Sequence, residues 1–334
     1  MQKNHQRRFD VLGIGNAIVD ILSHANEDFL NAEAIQKGVM TLIDDVRADA
    51  LYKKMGPATI VSGGSAANTM AGLAGLGGSA AYIGRVHNDQ LGKGFSHDLK
   101  ASGVHYATPP AMEGAPTASC LIFITPDGQR SMNTFLGAST DLSASELDEE
   151  LSREAAVTYL EGYLFDKPPA QAAFRQAAEQ AHRHGNKVAL SLSDPFCVNR
   201  HRQAFQELVE EGVDILFANE NEACSLYQRN DLKEVIPLLS RACDLAIVTR
   251  SEKGSLILQD GEPITVAPEK VARVVDSTGA GDLYASGFLF GYTRGLPLEK
   301  CGRMGSVCAA EVISHVGPRP QADLKKLLQS KGLV

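Results

Sequence analysis

The order of apolar and helical segments along the chain predicts an α/β fold of three layers, with a mainly parallel sheet between two layers of helices. Three observations predict it. Short apolar runs recur from end to end, longer helical patterns separate several of them, and the runs are apolar on both faces. Strands of this kind, alternating with helices of about 10–15 residues, are typical of a parallel sheet covered on both sides.

The predicted elements follow one another in a simple order. The strands of the main sheet are residues 9–14, 58–62, 80–83, 158–160, 188–192, 215–218 and 245–249. The helices between them include residues 66–76, 169–184 and 202–211. The first of these helices is built from small residues and follows a glycine-rich turn.

Two stretches interrupt the alternation, residues 18–43 and 104–137. The second contains two β-rich runs, 118–124 and 130–135, joined by Thr125-Pro-Asp-Gly128. Pro-Asp-Gly favours a tight turn because Pro fixes φ and Gly accepts positive φ. We therefore predict one small β-sheet built from the two excursions, and a large α/β domain made of residues 1–17, 44–103 and 138–334.

Composition excludes several classes of protein. With 334 residues, 44% hydrophobic and 22% charged, the chain can bury a sizeable core and is not a disordered protein. Its 32 Lys and Arg against 40 Asp and Glu give a net charge of −8, which argues against a nucleic acid as the main ligand. The six cysteines form no Cys-x-x-Cys pair, so neither a zinc site nor a disulfide framework is predicted.

Segments for membranes and for common nucleotide folds are absent from the sequence. No apolar run approaches the ~18 residues that a membrane span needs, and residues 1–8 are polar and basic. We therefore expect a cytoplasmic protein that binds no membrane. Gly13-Ile-Gly15 begins like a dinucleotide fingerprint, but Ile18 stands where the third glycine belongs, and no P-loop motif occurs.

The strongest chemical signal is Asp276-Ser-Thr-Gly-Ala-Gly-Asp282, which leads into a helical pattern. The backbone N–H groups of Gly279, Ala280 and Gly281 are free of bulky side chains at a helix start, where the helix dipole also favours an anion. Asp282, at the edge of this anion hole, can reach a hydroxyl that attacks a bound phosphoryl group. The alternative is an ordinary helix start with a glycine turn and a favourably placed acid.

Two further segments follow apolar strands. Asn219 and Glu222 come after residues 215–218, at the strand end where open α/β sheets bind ligands. We expect them to be solvent-facing and to suit Mg²⁺; the alternative is a capping box. Thr249, Lys253 and Gly254 follow the next strand and suit a nucleotide phosphate, or form a plain turn.

Polar residues also follow the first two strands. Gly63 and Gly64 allow close approach of the backbone to a ligand, and Asn68 can both donate to and accept from hydroxyls. Asn16 and Asp20 follow the first strand and bring an amide and a short acid to the same sheet edge.

Three of these motifs resemble those of the ribokinase-like (PfkB) carbohydrate and nucleoside kinases. They are Gly63-Gly-Ser-x-x-Asn68, Asn219-x-x-Glu222 and Asp276-Ser-Thr-Gly-Ala-Gly-Asp282. They occur in the family's order, and the resemblance extends from Phe9 to about Leu328. The segments that end in Asp20 and Asn68 are most similar to adenosine kinases, because ribokinases usually carry Gly-Gly-Lys-Gly-Ala-Asn at the second. The resemblance implies the same α/β/α domain, with the small sheet as a lid that excludes water when it closes.

For catalysis, the resemblance implies that Asp282 is the base. Gly279, Ala280 and Gly281 would form the anion hole, and Arg130 would be the lid arginine that reaches the phosphate. The residues expected to contact the acceptor substrate are Asn16, Asp20, Gly63, Gly64 and Asn68 at the ribose, with Leu164 and Phe196 at the base. Leu164 stands where many adenosine kinases have an aromatic residue.

For the nucleotide, the resemblance implies ATP with Mg²⁺. Asn219 and Glu222 would organise the metal, and the further ATP-binding positions would be Thr249, Lys253, Gly254, Thr278 and Gly281. The implied reaction is transfer of the γ-phosphoryl group of MgATP to a primary hydroxyl, foremost the 5′-hydroxyl of adenosine to give AMP. Two alternatives stay open: a kinase for another nucleoside or a free ribose-like sugar, and a nucleoside-binding module without catalysis. The expected partners are small molecules, and the chain could be a monomer or a homodimer.

Overall fold

The computed structural model describes residues 7–260 and 262–334. The strands are β1 (Phe9–Ile14), β2 (Ile18–His24), β3 (Met40–Leu42), β4 (Ala58–Ser62), β5 (Ala80–Ile83), β6 (His105–Tyr106), β7 (Ala118–Ile124), β8 (Arg130–Phe135), β9 (Ala155–Glu161), β10 (Lys187–Ser191), β11 (Ile215–Asn219), β12 (Leu245–Thr249), β13 (Ser255–Gln259) and β14 (Glu262–Val266).

The helices follow in the same numbering. They are α1 (Glu27–Ala32), α2 (Asp45–Lys54), α3 (Ser65–Gly75), α4 (Gln90–Ala101), α5 (Glu149–Glu154), α6 (Pro168–Arg183), α7 (Pro195–Arg200), α8 (Arg202–Gly212), α9 (Glu220–Tyr227), α10 (Leu232–Ala242), α11 (Ala280–Tyr292), α12 (Leu298–Val312) and α13 (Leu324–Ser330). Single 3₁₀ turns cover Gly137–Asp141, Ala144–Glu146, Gly162–Asp166 and Ser251–Lys253.

The large sheet separates two hydrophobic cores. Within the described ranges it has the strand order β14-β13-β12-β11-β10-β9-β1-β5-β6. Neighbours from β6 to β12 run parallel, and β13 and β14 add an antiparallel hairpin at one edge. Alternate residues of β1 point to opposite sides: Val11 joins the core under α3, α11 and α12, and Leu12 joins the core under α6, α8 and α10. The three-layer prediction is confirmed.

The small sheet has the order β3-β8-β7-β2-β4 within the described ranges. Strands β7 and β8 are antiparallel, so the hairpin expected around the Pro-Asp-Gly turn is confirmed. Strand β2 pairs with β7 in parallel. It follows β1 after only the residues 15–17, so the chain passes directly from the large sheet to the small one.

One part of the predicted domain division is wrong. Residues 58–62 were expected in the main sheet, yet β4 pairs antiparallel with β2 and forms an edge of the small sheet. Helix α2 packs against β7 and β8, so it too lies on the small sheet. The reason is visible in the side chains, because most of β4 is exposed, as an edge strand allows and a central strand of a covered sheet does not.

The fold brings several chain segments to one edge of the large sheet. The carboxyl ends of β1, β9, β11 and β12 all meet there, because these strands are parallel. The starts of α3 and α11 pack against each other at the same edge. In the part of the chain that the structure describes, no helix combines the length and the apolar character needed to cross a membrane.

Candidate active site

Helix α11 begins with an open N-terminus that has room for an anion. Its N-cap Gly279 has φ +81°, and a side chain there would meet the carbonyl oxygen of Pro318 at 2.8 Å, so only glycine fits. No side chain caps the helix. Gly281 is exposed, and nothing lies within 4 Å of the position that a Cβ would take. The predicted anion hole at residues 279–281 thus has the necessary geometry.

Asp282 is held by two donors from α3. The hydroxyl of Ser65 donates to its Oδ1 at 2.6 Å, and Nδ2 of Asn68 donates to its Oδ2 at 3.0 Å. Burial raises the pKa of Asp282, and these two hydrogen bonds and the charge of Arg319 act in the opposite direction. The carboxylate therefore has two fixed donors and an elevated basicity, which suits a proton acceptor.

Two glycines before α3 bring it against the start of the small sheet. Gly64 has φ +90°, and a Cβ there would lie 2.3 Å from the backbone oxygen of Asn16. A Cβ on Gly63 would lie 2.5 Å from Oδ2 of Asp20. Neither position has space for a side chain, so the sequence Gly63-Gly64 is required by the contact that brings Asn16 and Asp20 to the site.

Asp20 is a buried carboxyl at the junction of the two sheets. Burial raises its pKa to about 7; Arg319 and Arg130 lower it, and Asp282 raises it further. Asn16 is also buried, and its Oδ1 has no hydrogen-bond partner among the described residues. A buried acceptor without a donor costs free energy. The pair therefore offers unused acceptor capacity to hydroxyl groups of a ligand.

Glu161 was not identified from the sequence, although it organises this junction. It lies at the end of β9 and is 1% exposed. Its Oε1 accepts from the backbone N–H and Nδ2 of Asn16 at 3.2 and 3.1 Å, and its Oε2 accepts from the backbone N–H of Ala66 at 2.7 Å. Burial raises its pKa to about 7. An acid closing an apolar strand was the signal that could have revealed it.

The arginine that the resemblance placed in the lid contacts the segment before the anion hole. Arg130, at the start of β8, pairs with Asp276 at 2.7 Å and donates to Oγ1 of Thr278 at 3.2 Å. Asp276 in turn accepts from the backbone N–H of Thr278 and of Gly317. The small sheet is thus tied to the residues that lead into α11, one to three positions before Gly279.

Asn219 and Glu222 form a capping box, the alternative that the sequence left open. Both oxygens of Glu222 accept from Asn219, at 2.8 Å from its backbone N–H and 2.6 Å from Nδ2, and Oδ1 of Asn219 accepts from the N–H of Glu222. Glu222 is 6% exposed, so the expectation that it faces solvent is wrong. Burial raises its pKa to about 7.

The second segment expected to bind the nucleotide, residues 249–254, lies beside the first, residues 219–222. Thr249 at the end of β12 pairs in register with Asn219 at the end of β11. Lys253 is exposed, 4.0 Å from Glu220. Gly254 is buried at φ +78°, and a Cβ there would meet the oxygen of Val266 at 2.1 Å. Gly254 is therefore required by the turn between β12 and β13, as the plain-turn alternative held.

The two residues expected at the base differ in accessibility. Leu164 lies in the 3₁₀ turn after β9, is 0% exposed and packs in the core under α6 and α8. The expectation that it contacts a ligand is wrong, because it has no free surface. Phe196 is 70% exposed in the first turn of α7, where the side chain of Asp194 caps the helix.

With this geometry in place, the comparisons with known proteins can be read. Residues 38–324 match the family described as pfkB family carbohydrate kinase. The chain belongs to this family. The kinase is thus an ATP-dependent phosphotransferase that acts on a hydroxyl group, and its fold is the ribokinase-like fold that the motifs implied.

Two solved structures that are 50% identical to this chain support the family assignment. The probable sugar kinase protein from Rhizobium etli CFN 42 superposes with a TM-score of 0.93 at 50% identity, over 98% of this chain and 100% of that one. The adenosine kinase from Sinorhizobium meliloti superposes with a TM-score of 0.91 at 50% identity, over 97% and 99%. The adenosine kinase of Saccharomyces cerevisiae is 26% identical over 91% of this chain and 95% of its own.

The donor set at the strand ends does not form a cage for Mg²⁺. Both oxygens of Glu222 are used inside the capping box, and the described residues contain no group of three or more His, Cys, Asp or Glu able to hold a metal. Mg²⁺ commonly binds through substrate phosphates and water, with one or two carboxylates. Asn219 and Glu222 therefore do not fit as direct metal ligands in this arrangement, and we derive no catalytic step through the metal.

We predict that Glu222→Gln stabilises the kinase at high pH. A folded-state pKa of about 7, against 4.5 without burial, means that the wild type loses up to about 3 kcal/mol as the pH rises from 4.5 to 7. Glutamine keeps the capping-box bond from the backbone N–H of Asn219, gives up the bond from its Nδ2, and has no such titration. Urea unfolding should therefore show an advantage for Glu222→Gln at pH 8 that disappears below pH 4.5.

The matched control is Glu220→Gln, in the first turn of the same helix but outside the capping box. A stability difference for Glu222→Gln that does not change with pH would contradict the prediction. An altered Mg²⁺ concentration for half-maximal activity in Glu222→Gln alone would support the metal role expected from the sequence.

Proposed function

We propose that the kinase transfers the γ-phosphoryl group of ATP to the 5′-hydroxyl of adenosine, giving AMP and ADP. The observation that carries this proposal is a row of side chains across the small sheet. Asp20 of β2 pairs with Cys120 of β7, Cys120 with Thr134 of β8, and Thr134 with Leu42 of β3. Residues paired across neighbouring strands point to the same face of a sheet.

The row has the length and polarity of a nucleoside. Neighbouring strands are about 4.8 Å apart, so Thr134 lies about 10 Å from Asp20. The row is acidic at Asp20 and apolar at Leu42. A ribose with its hydroxyls at Asp20 would direct its base along the row toward Thr134 and Leu42.

A cavity adjoins the apolar end of the row. Its lining includes Leu42 and Thr134 of the row, together with Ile43, Phe135 and Leu136. The lining also includes Thr140 and the charged residues Asp141, Asp166 and Lys167. Apolar walls beside polar groups suit the flat faces and polar edges of a purine. A free sugar would leave this cavity unfilled, so the cavity favours a nucleoside acceptor. The 50% identity with an adenosine kinase also favours a nucleoside acceptor.

The reaction needs three things of the protein. Asp282 takes the proton from the attacking hydroxyl as its oxygen bonds to the γ-phosphorus, and the bond from that phosphorus to the β-phosphate oxygen breaks. The N–H groups at residues 279–281 hold the charge on the transferred group, and Arg130 adds a cation at the lid.

We expect Asp282→Asn to lower kcat by about 10²–10⁴-fold, because the amide cannot accept the proton. Binding of adenosine should change little, since size and one hydrogen bond to Ser65 are retained. Steady-state kinetics with ATP, and calorimetric titration with adenosine, measure the two quantities separately. Asp28→Asn, at an exposed position of α1, is the matched control. Near-normal turnover in Asp282→Asn would exclude Asp282 as the base.

We expect adenosine to exceed 2′-deoxyadenosine in kcat/KM by roughly 10- to 150-fold. A buried carboxylate that lacks one hydroxyl donor loses about 1.5–3 kcal/mol per hydrogen bond. Asp20→Ala should lose most activity and also reduce this preference. A panel of adenosine, 2′-deoxyadenosine, guanosine, cytidine and ribose, assayed with wild type and Asp20→Ala, measures both effects.

The outcomes of the panel separate the candidate functions. Ribose as the best acceptor would replace the nucleoside proposal with a sugar kinase, the activity named for the Rhizobium etli relative. No turnover with any acceptor would favour a binding protein. Equal preference ratios in wild type and Asp20→Ala would mean that Asp20 does not contact the ribose.

A further inference from the structure

We propose that Arg319 is a positioning residue for phosphoryl transfer, because it fixes the Asn68 carboxamide so that its nitrogen faces Asp282. The proposal rests on the proposed function, in which Asp282 is the base. Arg319 lies in the segment Gly317-Pro-Arg-Pro320 after α12, and no sequence motif singled it out. The structure brings it to the site from the far end of the chain.

The relay consists of two hydrogen bonds. Nε of Arg319 donates to Oδ1 of Asn68 at 2.8 Å, and Nδ2 of Asn68 donates to Oδ2 of Asp282 at 3.0 Å. A guanidinium can only donate, and a carboxamide has one donating and one accepting end. Arg319 therefore allows only one orientation of the Asn68 amide. The reversed amide would direct its nitrogen at the guanidinium and its oxygen at the carboxylate, and both contacts would be repulsive.

The loop that carries Arg319 is fixed to the anion-hole segment. The N–H of Gly317 donates to Oδ2 of Asp276 at 2.8 Å. Pro318 lies so close to Gly279 that a Cβ on the glycine would meet its backbone oxygen at 2.8 Å. Prolines on both sides of Arg319 restrict the backbone further. The guanidinium is consequently held in a constant position relative to the start of α11.

The charge of Arg319 acts on two carboxyls of the site. It lowers the pKa of Asp20 and of Asp282, in opposition to the burial of both groups. The other titratable groups that act on Asp20 are Arg130, Asp276 and Asp282. The charge of Asp282 in turn acts on five titratable groups, Asp20, Tyr159, Glu161, Tyr163 and Arg319. Among these five described residues, Arg319 is the one cation.

Stability alone does not explain this arginine. One of its terminal nitrogens is buried and finds no hydrogen-bond partner among the described residues, and burial lowers the pKa of its guanidinium. A buried donor without an acceptor is unfavourable. The charges of Asp98, Asp282 and Asp20 act against this effect of burial. Hydrogen bonding of the guanidinium is nevertheless incomplete, and the contact with Asn68 is its one side-chain hydrogen bond among the described residues.

The test compares Arg319→Ala and Arg319→Lys with Arg303→Ala, an exposed arginine of α12. With adenosine and ATP, we expect Arg319→Ala to lose about 100-fold in kcat, with KM for ATP little changed. The acid limb of its kcat/KM profile should move to higher pH, because the cation that lowers the pKa of Asp282 is removed. Arg319→Lys should recover part of the loss, and Arg303→Ala should behave like wild type.

Two further measurements exclude a merely structural role. Guanidinium ion at non-denaturing concentration should partly restore Arg319→Ala and leave Arg303→Ala unaffected. Because the effect of Arg319 on the amide orientation requires Asn68, the loss in the double variant Asn68→Ala/Arg319→Ala should be smaller than the product of the two single losses. Additive losses, an unmoved pH profile and no rescue would overturn the proposal.

The design separates this proposal from the proposed function. Wild type that phosphorylates adenosine, together with Arg319→Ala that equals Arg303→Ala, would reject only the role of Arg319. Wild type without turnover on adenosine would reject the proposed acceptor, and the same variants would then be assayed with the acceptor that the panel identifies. Should Arg319→Ala fail to fold, Arg319→Lys and its pH profile still decide the question.

Discussion

The structure of the site depends on one constraint, which is that carboxyl groups withdrawn from water need donors from the protein or from a ligand. Asp20, Glu161 and Asp282 lie on three different chain segments, and burial raises the pKa of all three. Glu161 and Asp282 find donors at the start of α3 and in the connection between the two sheets, whereas the described residues make no hydrogen bond to the carboxyl of Asp20. A desolvated carboxylate without donors would be protonated or would disrupt the fold. The backbone at this junction therefore places N–H donors against a buried carboxyl group, as it does for Glu161.

This constraint explains why some residues of the site could be predicted from the sequence and others could not. The glycines at 63, 64 and 279 and the acid at 282 belong to short local motifs, so the sequence alone identifies them. Glu161 and Arg319 make their hydrogen bonds with partners far along the chain, at Asn16, Ala66 and Asn68. No local pattern encodes such pairs: the local signal for Glu161 is only an acid that closes an apolar strand, and Arg319 belongs to no motif.

The errors have equally physical causes. An apolar strand before a glycine-rich helix fits either sheet, so the assignment of β4 needed the pairing with β2. Carboxamide and acid at a helix start serve either a metal or a cap, and burial of Glu222 distinguishes the two. Leu164 lies next to the sheet edge in sequence, but the 3₁₀ turn directs it into the core. Patterns of residue type do not contain this information on direction and burial.

The three-residue connection between β1 and β2 has a mechanical consequence. Residues 15–17 and Gly63-Gly64 both join the two parts of the chain next to Asp20. A rotation of the small sheet about this junction as a pivot would displace each strand in proportion to its distance from it. Leu42 in β3 is three strands away, about 14 Å. A rotation of about 20° about this pivot would carry β3 through about 5 Å and move Asp20 only slightly. The end of the small sheet at Asp20 is thus least affected by such a rotation, whereas the end at Leu42 has the largest travel and would tolerate the widest range of ligand sizes.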